Sequence, residues 1–274
     1  MDLILLFKAF LLGIVEGATE FLPISSTGHL IIVGDLLNFN DGKGKVFEIV
    51  IQLAAILAVC WEYRKKLALT FFEIAQKPGD HQSKAQQLVF NLVLAFLPAA
   101  ILGLLFHDAI KTYLFSPMTV AIALIVGGLA ILYIENKTAG STASTHNIDN
   151  VSRKQAIQIG FAQSLALIPG VSRAGATILG GMVFGLDRKT ATEFSFFLAI
   201  PIMFAATAFD LLKSWKLLSA DDLGMFAVGF ITAFASALLV IKMLLRFVAS
   251  NDFKVFAWYR IVFGVIVLLY FGLK

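Results

Sequence analysis

A chain of 274 residues that is 59% hydrophobic and 15% charged, with a mean hydropathy of +0.86, lies outside the soluble globular range, where about a quarter of residues are charged. The net charge of +4 does not point to nucleic acid, because the basic residues gather at the ends of apolar runs, where they set topology. One cysteine, Cys60, excludes a disulfide within the chain and reads as a small buried hydrophobe.

The N-terminus does not read as a cleaved signal peptide: Asp2 stands in place of a basic region, and no small-residue cleavage site precedes Glu16. Residues 3–15 are apolar but short and carry Lys8. A polar string from Glu16 to His29 follows, and then residues 30–37 are apolar again. Two half-length helices around a polar turn predict a re-entrant hairpin, tolerated only where protein or water lines it. Apolar runs at 46–61, 88–106 and 117–134 approach the roughly 20 residues that cross a bilayer as helix.

A Ser/Thr/Asn-rich stretch, about 136–154, is the expected cytoplasmic linker and is expected to be mobile. Residues 156–168, a Pro169-Gly170-Val171-Ser172-Arg173 turn and residues 177–186 repeat the hairpin pattern. Further apolar runs follow at 194–212, 223–245 and 255–273. No strand alternation competes with these segments. The expected fold is an all-α polytopic membrane protein with six transmembrane helices and two re-entrant hairpins.

The halves align, repeat one being about 1–135 and repeat two about 155–274 of a single membrane domain. Gly13 and Glu16 fall on Gly160 and Gln163 at an offset of 147. Pro23 and Ser26 fall on Pro169 and Ser172 at 146, which sets Thr27 opposite Arg173, and Phe47 falls on Phe194 at 147. Three spans per half is odd, so the second half must be inverted, with the hairpins meeting near the midplane. With the first hairpin opening outward, loops 62–87, 135–155, 187–192 and 246–254 hold 12 basic residues and the other side 6. The positive-inside rule then places both termini outside. Lys8, Lys242 and Arg260 have no assigned side.

Glu16 and Glu20 are spaced to share one helix face. Beside a phosphate they would repel it unless a divalent cation intervened, so they are the candidate metal ligands. Read structurally, they would be satisfied by backbone or by Arg173. Pro23 ends the helix. Ser25, Ser26 and Thr27 follow where backbone N–H groups are free, and His29 opens the return helix. A hydroxyl beside an imidazole is the smallest nucleophile-and-base pair, although a serine run also serves as an N-cap. In the second string Arg173 offers a bidentate fork for phosphate. Ser172 and Thr177 can donate to phosphoryl oxygens, and a helix beginning near Ala174 would aim its N-terminus at an anion. Glu48, Gln52, Glu193 and Ser195 read as supporting or packing groups. His81 and His146 read as solvated, and Gly127-Gly128 as close helix packing.

Glu16–Leu30, as EGATEFLPISSTGHL, and Pro169–Thr177, as PGVSRAGAT, resemble the two signature motifs of the bacterial undecaprenyl-diphosphatase family, also called the bacitracin-resistance protein family. One departure is Ala174, where members often carry serine. The resemblance spans the chain. It implies hydrolysis of the lipid carrier undecaprenyl diphosphate to the monophosphate and inorganic phosphate, recycling the carrier for peptidoglycan synthesis. It also implies Mg²⁺ or Ca²⁺ as cofactor and a multi-pass protein of the bacterial plasma membrane with its site facing the periplasm or exterior. Carried onto this chain, catalytic roles fall on Ser26, His29, Glu20 and Arg173, and metal binding on Glu16 and Glu20. Substrate contacts are expected from Ser25, Thr27, Ser172, Arg173 and Thr177. The expected partners are the lipid substrate and membrane lipid, without nucleic acid; a homodimer is left open. The rival reading is a transporter or flippase of a polyprenyl phosphate on the same scaffold.

Overall fold

The computed structural model describes residues 3–39, 42–75, 83–140, 142–214 and 222–273. His81, read as solvated, and Lys77, Lys216 and Lys274, three of the 18 basic residues counted by side, lie outside the described residues. The helices are α1 (Leu3–Thr19), α2 (Ser26–Leu36), α3 (Gly42–Glu62), α4 (Arg64–Ala75), α5 (Lys84–Leu105) and α6 (His107–Tyr113). They continue with α7 (Pro117–Thr138), α8 (Arg153–Ser164), α9 (Arg173–Val183), α10 (Arg188–Ser214), α11 (Leu223–Val248) and α12 (Lys254–Gly272). Among the described residues the only extended pairing is an isolated bridge between Thr145 and Leu186.

Among the described residues six helices are long and apolar enough to cross a membrane: Gly44–Glu62, Lys84–Leu105, Pro117–Thr138, Arg188–Leu212, Leu223–Val248 and Lys254–Gly272. They coincide with the six expected apolar runs. Their outer faces carry exposed Val93, Ile101, Val126 and Val262, as lipid contact requires. Pro98 and Pro201 sit inside α5 and α10, as membrane helices tolerate. Local signals set the boundaries: Ser83 with Gln86 and Ser152 with Gln155 form capping boxes that start α5 and α8, and Ser116 caps α7 ahead of Pro117.

The helices that carry the polar strings pack against the spans. α1 lies along α11, α8 along α5, and α3 against both α10 and α11. Glycines let the backbones touch. A Cβ at Gly17 would strike the Ser236 side chain and the Ala233 carbonyl, and one at Gly264 would come within 2.9 Å of the Ala121 carbonyl. Phe21, Phe47, Phe194, Phe196 and Phe197 fill the interior, with Phe21 edge-on to Phe196 at 5.5 Å.

Two expectations change here. The loop expected over 62–87 contains α4, which buries no residue. The linker expected to be mobile is pinned over its described part. Ile148 and Val151 are buried, Asn91 Nδ2 donates to the Val151 carbonyl at 2.6 Å, and Lys66 Nζ meets Asp149 at 3.0 Å. His146 is exposed, as expected, with Nδ1 at 2.7 Å from Asp187 Oδ2.

Candidate active site

The two polar strings fold alike. After α1 the chain turns through Pro23 and restarts as α2. After α8 it tightens into a 3₁₀ turn over Leu165–Leu167, bends at Pro169 and Gly170, and restarts as α9. Ser25 and Ser172 are the N-caps, with φ of 72° and 74°. Each side-chain oxygen accepts from a glycine N–H three residues on, Gly28 at 3.4 Å and Gly175 at 3.0 Å. Such φ values cost a non-glycine residue about 1–3 kcal/mol, so the surroundings impose them. The caps also correct the sequence alignment. Ser25, not Ser26, corresponds to Ser172, because the second turn has one more residue between its proline and its cap. Ser26 therefore corresponds to Arg173, and the offset of 147 holds on both sides of the turns.

Both caps and both first helical residues line one cavity of about 100 Å³, with Glu20, Thr27, Gln52 and Gly170. Ser26 Oγ donates to Glu20 Oε2 at 2.5 Å, and Arg173 Nη2 donates to the other oxygen of the same carboxylate at 3.1 Å. Arg173 Nη1 is anchored on the Ser195 carbonyl at 3.1 Å, and its guanidinium lies 5.7 Å from the Phe21 ring. Arg173 Nε is buried and has no hydrogen-bond partner. One carboxylate thus joins a hydroxyl of the first string to a guanidinium of the second, 153 residues from Glu20.

Not every expected residue takes part as expected. Ser26 and His29 do not pair. His29 Nδ1 lies 2.8 Å from the Ser25 carbonyl and Nε2 lies 2.6 Å from Tyr259 Oη, so both ring nitrogens are engaged. A carbonyl only accepts, so Nδ1 carries the proton and Nε2 accepts from the tyrosine in the neutral ring. Thr177 does not line the cavity; its Oγ1 lies 2.9 Å from the Arg173 carbonyl and 2.6 Å from Ser195 Oγ, inside the protein. Ser172 lines the cavity, but its hydroxyl accepts from the Gly175 N–H and donates to the Leu22 carbonyl at 3.4 Å. Thr27 is exposed at the cavity mouth.

Glu16 lies one turn before Glu20, is 1% exposed, and leaves Oε1 without a hydrogen-bond partner. Its counterpart Gln163 is also buried, with both amide atoms unpartnered. Among the described residues no group of three or more His, Cys, Asp or Glu is placed to hold a metal by itself. The donor chemistry still fits a hard cation that takes part of its shell from phosphate oxygens, since an orphaned carboxylate oxygen sits one turn from the cavity.

Residues 9–266 match the family model described as bacitracin resistance protein BacA. The chain belongs to that family. Among its curated relatives, the undecaprenyl-diphosphatase of Methylobacillus flagellatus is 64% identical, covering 99% of this chain and 100% of its own. Those of Nitrosospira multiformis and Laribacter hongkongensis are 61% and 59% identical, each over 98% of this chain and 96% of the relative.

Sequence reasoning left Arg260 without a role and did not single out Tyr259. Arg260 is fully buried and donates only to backbone carbonyls. A lone arginine inside a membrane span was the available signal. Gly127, read as helix packing, is where the Arg260 guanidinium crosses α7: a Cβ there would collide with Nη2.

Proposed function

We propose that this chain is an integral-membrane phosphatase that hydrolyses undecaprenyl diphosphate to undecaprenyl phosphate and inorganic phosphate. One observation carries the reading: Ser26, Glu20 and Arg173, from two distant strings, converge on one polar cavity inside a membrane protein. The relatives' shared name supplies the substrate.

The chemistry follows phosphoryl-transfer logic, in which positioning and charge neutralisation dominate. Arg173 exchanges its contact with Glu20 for the terminal phosphate, presenting its fork and the unpartnered Nε. Glu20, relieved of its cation, takes the proton of Ser26. Ser26 Oγ attacks the terminal phosphorus, and the bond to the bridging oxygen breaks, so undecaprenyl phosphate leaves. Glu20 gives the proton taken from Ser26 to the departing undecaprenyl phosphate; water then attacks the phosphoserine, Glu20 takes the water's proton, and that proton passes to Ser26 Oγ as inorganic phosphate leaves. The N-termini of α2 and α9 favour negative charge on the phosphate oxygens. Glu16 and Glu20 would hold a divalent cation, Mg²⁺ or Ca²⁺, which when bound offsets phosphate charge. His29 holds the turn.

The same reading takes α1–α2 and α8–α9 as re-entrant hairpins in an inverted repeat. α2 and α9 have 11 residues each, about 17 Å of helix, too short for a hydrocarbon core of about 30 Å. The crossed packing of α1 on α11 and α8 on α5 supports the repeat. The positive-inside count supports a bacterial plasma-membrane protein with its cavity open to the periplasm or exterior.

The test is phosphate release from a polyprenyl diphosphate by purified protein in detergent, with Mg²⁺ or Ca²⁺. Transport has no meaning there, so turnover supports the enzyme. No turnover by wild type would favour a carrier of lipid phosphates.

A further inference from the structure

We infer that adjacent residues of α12, Tyr259 and Arg260, form a brace that sets the backbone of both turns, and that Arg260 is a positioning residue rather than a phosphate ligand. The inference rests on the phosphatase reading for its kinetic part only.

A guanidinium has five N–H donors, and Arg260 spends all five on carbonyls. Nη1 reaches Pro23 O at 3.0 Å and Val171 O at 2.9 Å. Nη2 reaches Gly170 O at 2.9 Å and Ala123 O at 3.0 Å, and Nε reaches Leu124 O at 3.2 Å. No donor remains for substrate. Three of the five acceptors belong to the two turns, and the other two are carbonyls of α7, which Gly127 bares. Tyr259 extends the grip: its hydroxyl holds His29, whose Nδ1 holds the Ser25 carbonyl. The His29 ring is also stacked on Phe263 at 4.2 Å, so it has one orientation.

The geometry of the peptide unit turns this grip into a function. In a trans peptide the carbonyl and the following N–H point opposite ways. Drawing Ser25 O and Val171 O back toward α12 therefore aims the N–H groups of Ser26 and Ser172 away from it. Ser26 and Ser172 are cavity-lining residues, one from each turn. The brace thus holds two strained caps in one register, and with them the helix N-termini, without using a donor that faces the phosphate. Catalysis by such donors depends on their being fixed before charge develops.

The experiment uses the full chain in detergent and reads amide hydrogen exchange alongside steady-state kinetics. For Arg260→Lys and Arg260→Gln, exchange should rise at least about tenfold at 22–28 and at 168–175 together, with α3 and α5 unchanged. In the same variants kcat should fall at least about tenfold while KM stays within about threefold. Tyr259→Phe should loosen 22–28 alone and lower kcat by about threefold to tenfold. His29→Asn, whose amide can still reach the Ser25 carbonyl, should keep at least about ten times the activity of His29→Leu. Loosening of only one turn in the Arg260 variants would overturn the brace. So would a raised KM with kcat retained, the mark of a direct phosphate contact, or equal loss in His29→Asn and His29→Leu. If the Arg260 variants do not fold, Tyr259→Phe and the His29 pair decide. If wild type has no turnover, the phosphatase reading falls and the exchange data still decide the brace.

Discussion

The two turns share a cap geometry and differ in charge. Ser25 and Ser172 have φ within a few degrees of each other, cap 11-residue helices and bond a glycine three residues on. The residues around them break the likeness. Glu16 corresponds to Gln163, Glu20 to Leu167 and Ser26 to Arg173. The first turn carries the acids and the hydroxyl, and the second carries the cation. Backbone geometry makes the cradle, and a few side-chain differences make it a site.

The comparison breaks most severely where charge differs. Arg173→Ala and Ser26→Ala should each cost at least about 10³-fold in phosphate release, and Arg173→Lys about 10–100-fold, since an ammonium lacks the fork. Steady-state assays at saturating lipid measure this. Glu16→Gln makes the first turn resemble the second at that position. It should raise the Mg²⁺ or Ca²⁺ needed for half-maximal rate by about 10–100-fold, read from a cation titration.

Where the turns agree, matched changes should behave alike. Ser25→Ala and Ser172→Ala keep the strained φ and lose the cap, and should each destabilise by about 1–2 kcal/mol. Ser25→Gly and Ser172→Gly relax the strain and should cost less than the alanines, in the same order at both turns. Thermal unfolding in detergent ranks them. A different order at the two turns would break the equivalence.

The smallest effect lies outside the turns, in a contact of the second half with the linker. Partial burial works to raise the Asp187 carboxyl, but hydrogen bonds from the Thr190 N–H and from His146 outweigh it and hold Asp187 below its ordinary value. A depressed carboxylate contributes stability above its unfolded pKa and loses it as pH falls through the folded one. Between about pH 5 and pH 3, wild type should lose more melting temperature than Asp187→Asn.

Much of this was legible in the sequence. Long apolar runs have one solution in a bilayer, so all six spans could be read from hydropathy alone. The polar strings were legible because charge is costly there, and Glu16, Glu20 and Arg173 stood out on that ground, whereas only the family resemblance separated Ser26 from the hydroxyls beside it. The pairing of Ser26 was not legible, because His29 is nearer in sequence than the geometry of the turn makes it in space. The register slipped by one because a proline is a weaker marker of a helix start than a capping serine, and only φ identifies the cap. Arg260 carried a signal but no partners, since its acceptors are main-chain carbonyls, which every residue has. α4 was hidden in a segment whose charges read as loop.

The most direct test of the central claim is phosphate release by wild type, Ser26→Ala and Arg173→Ala, purified side by side in detergent with a polyprenyl diphosphate and Mg²⁺ or Ca²⁺. The expected result is turnover by wild type and near-background rates for both variants, since each turn supplies half of one site. Retention of more than about a tenth of the wild-type rate by either variant would contradict a site shared between the two turns.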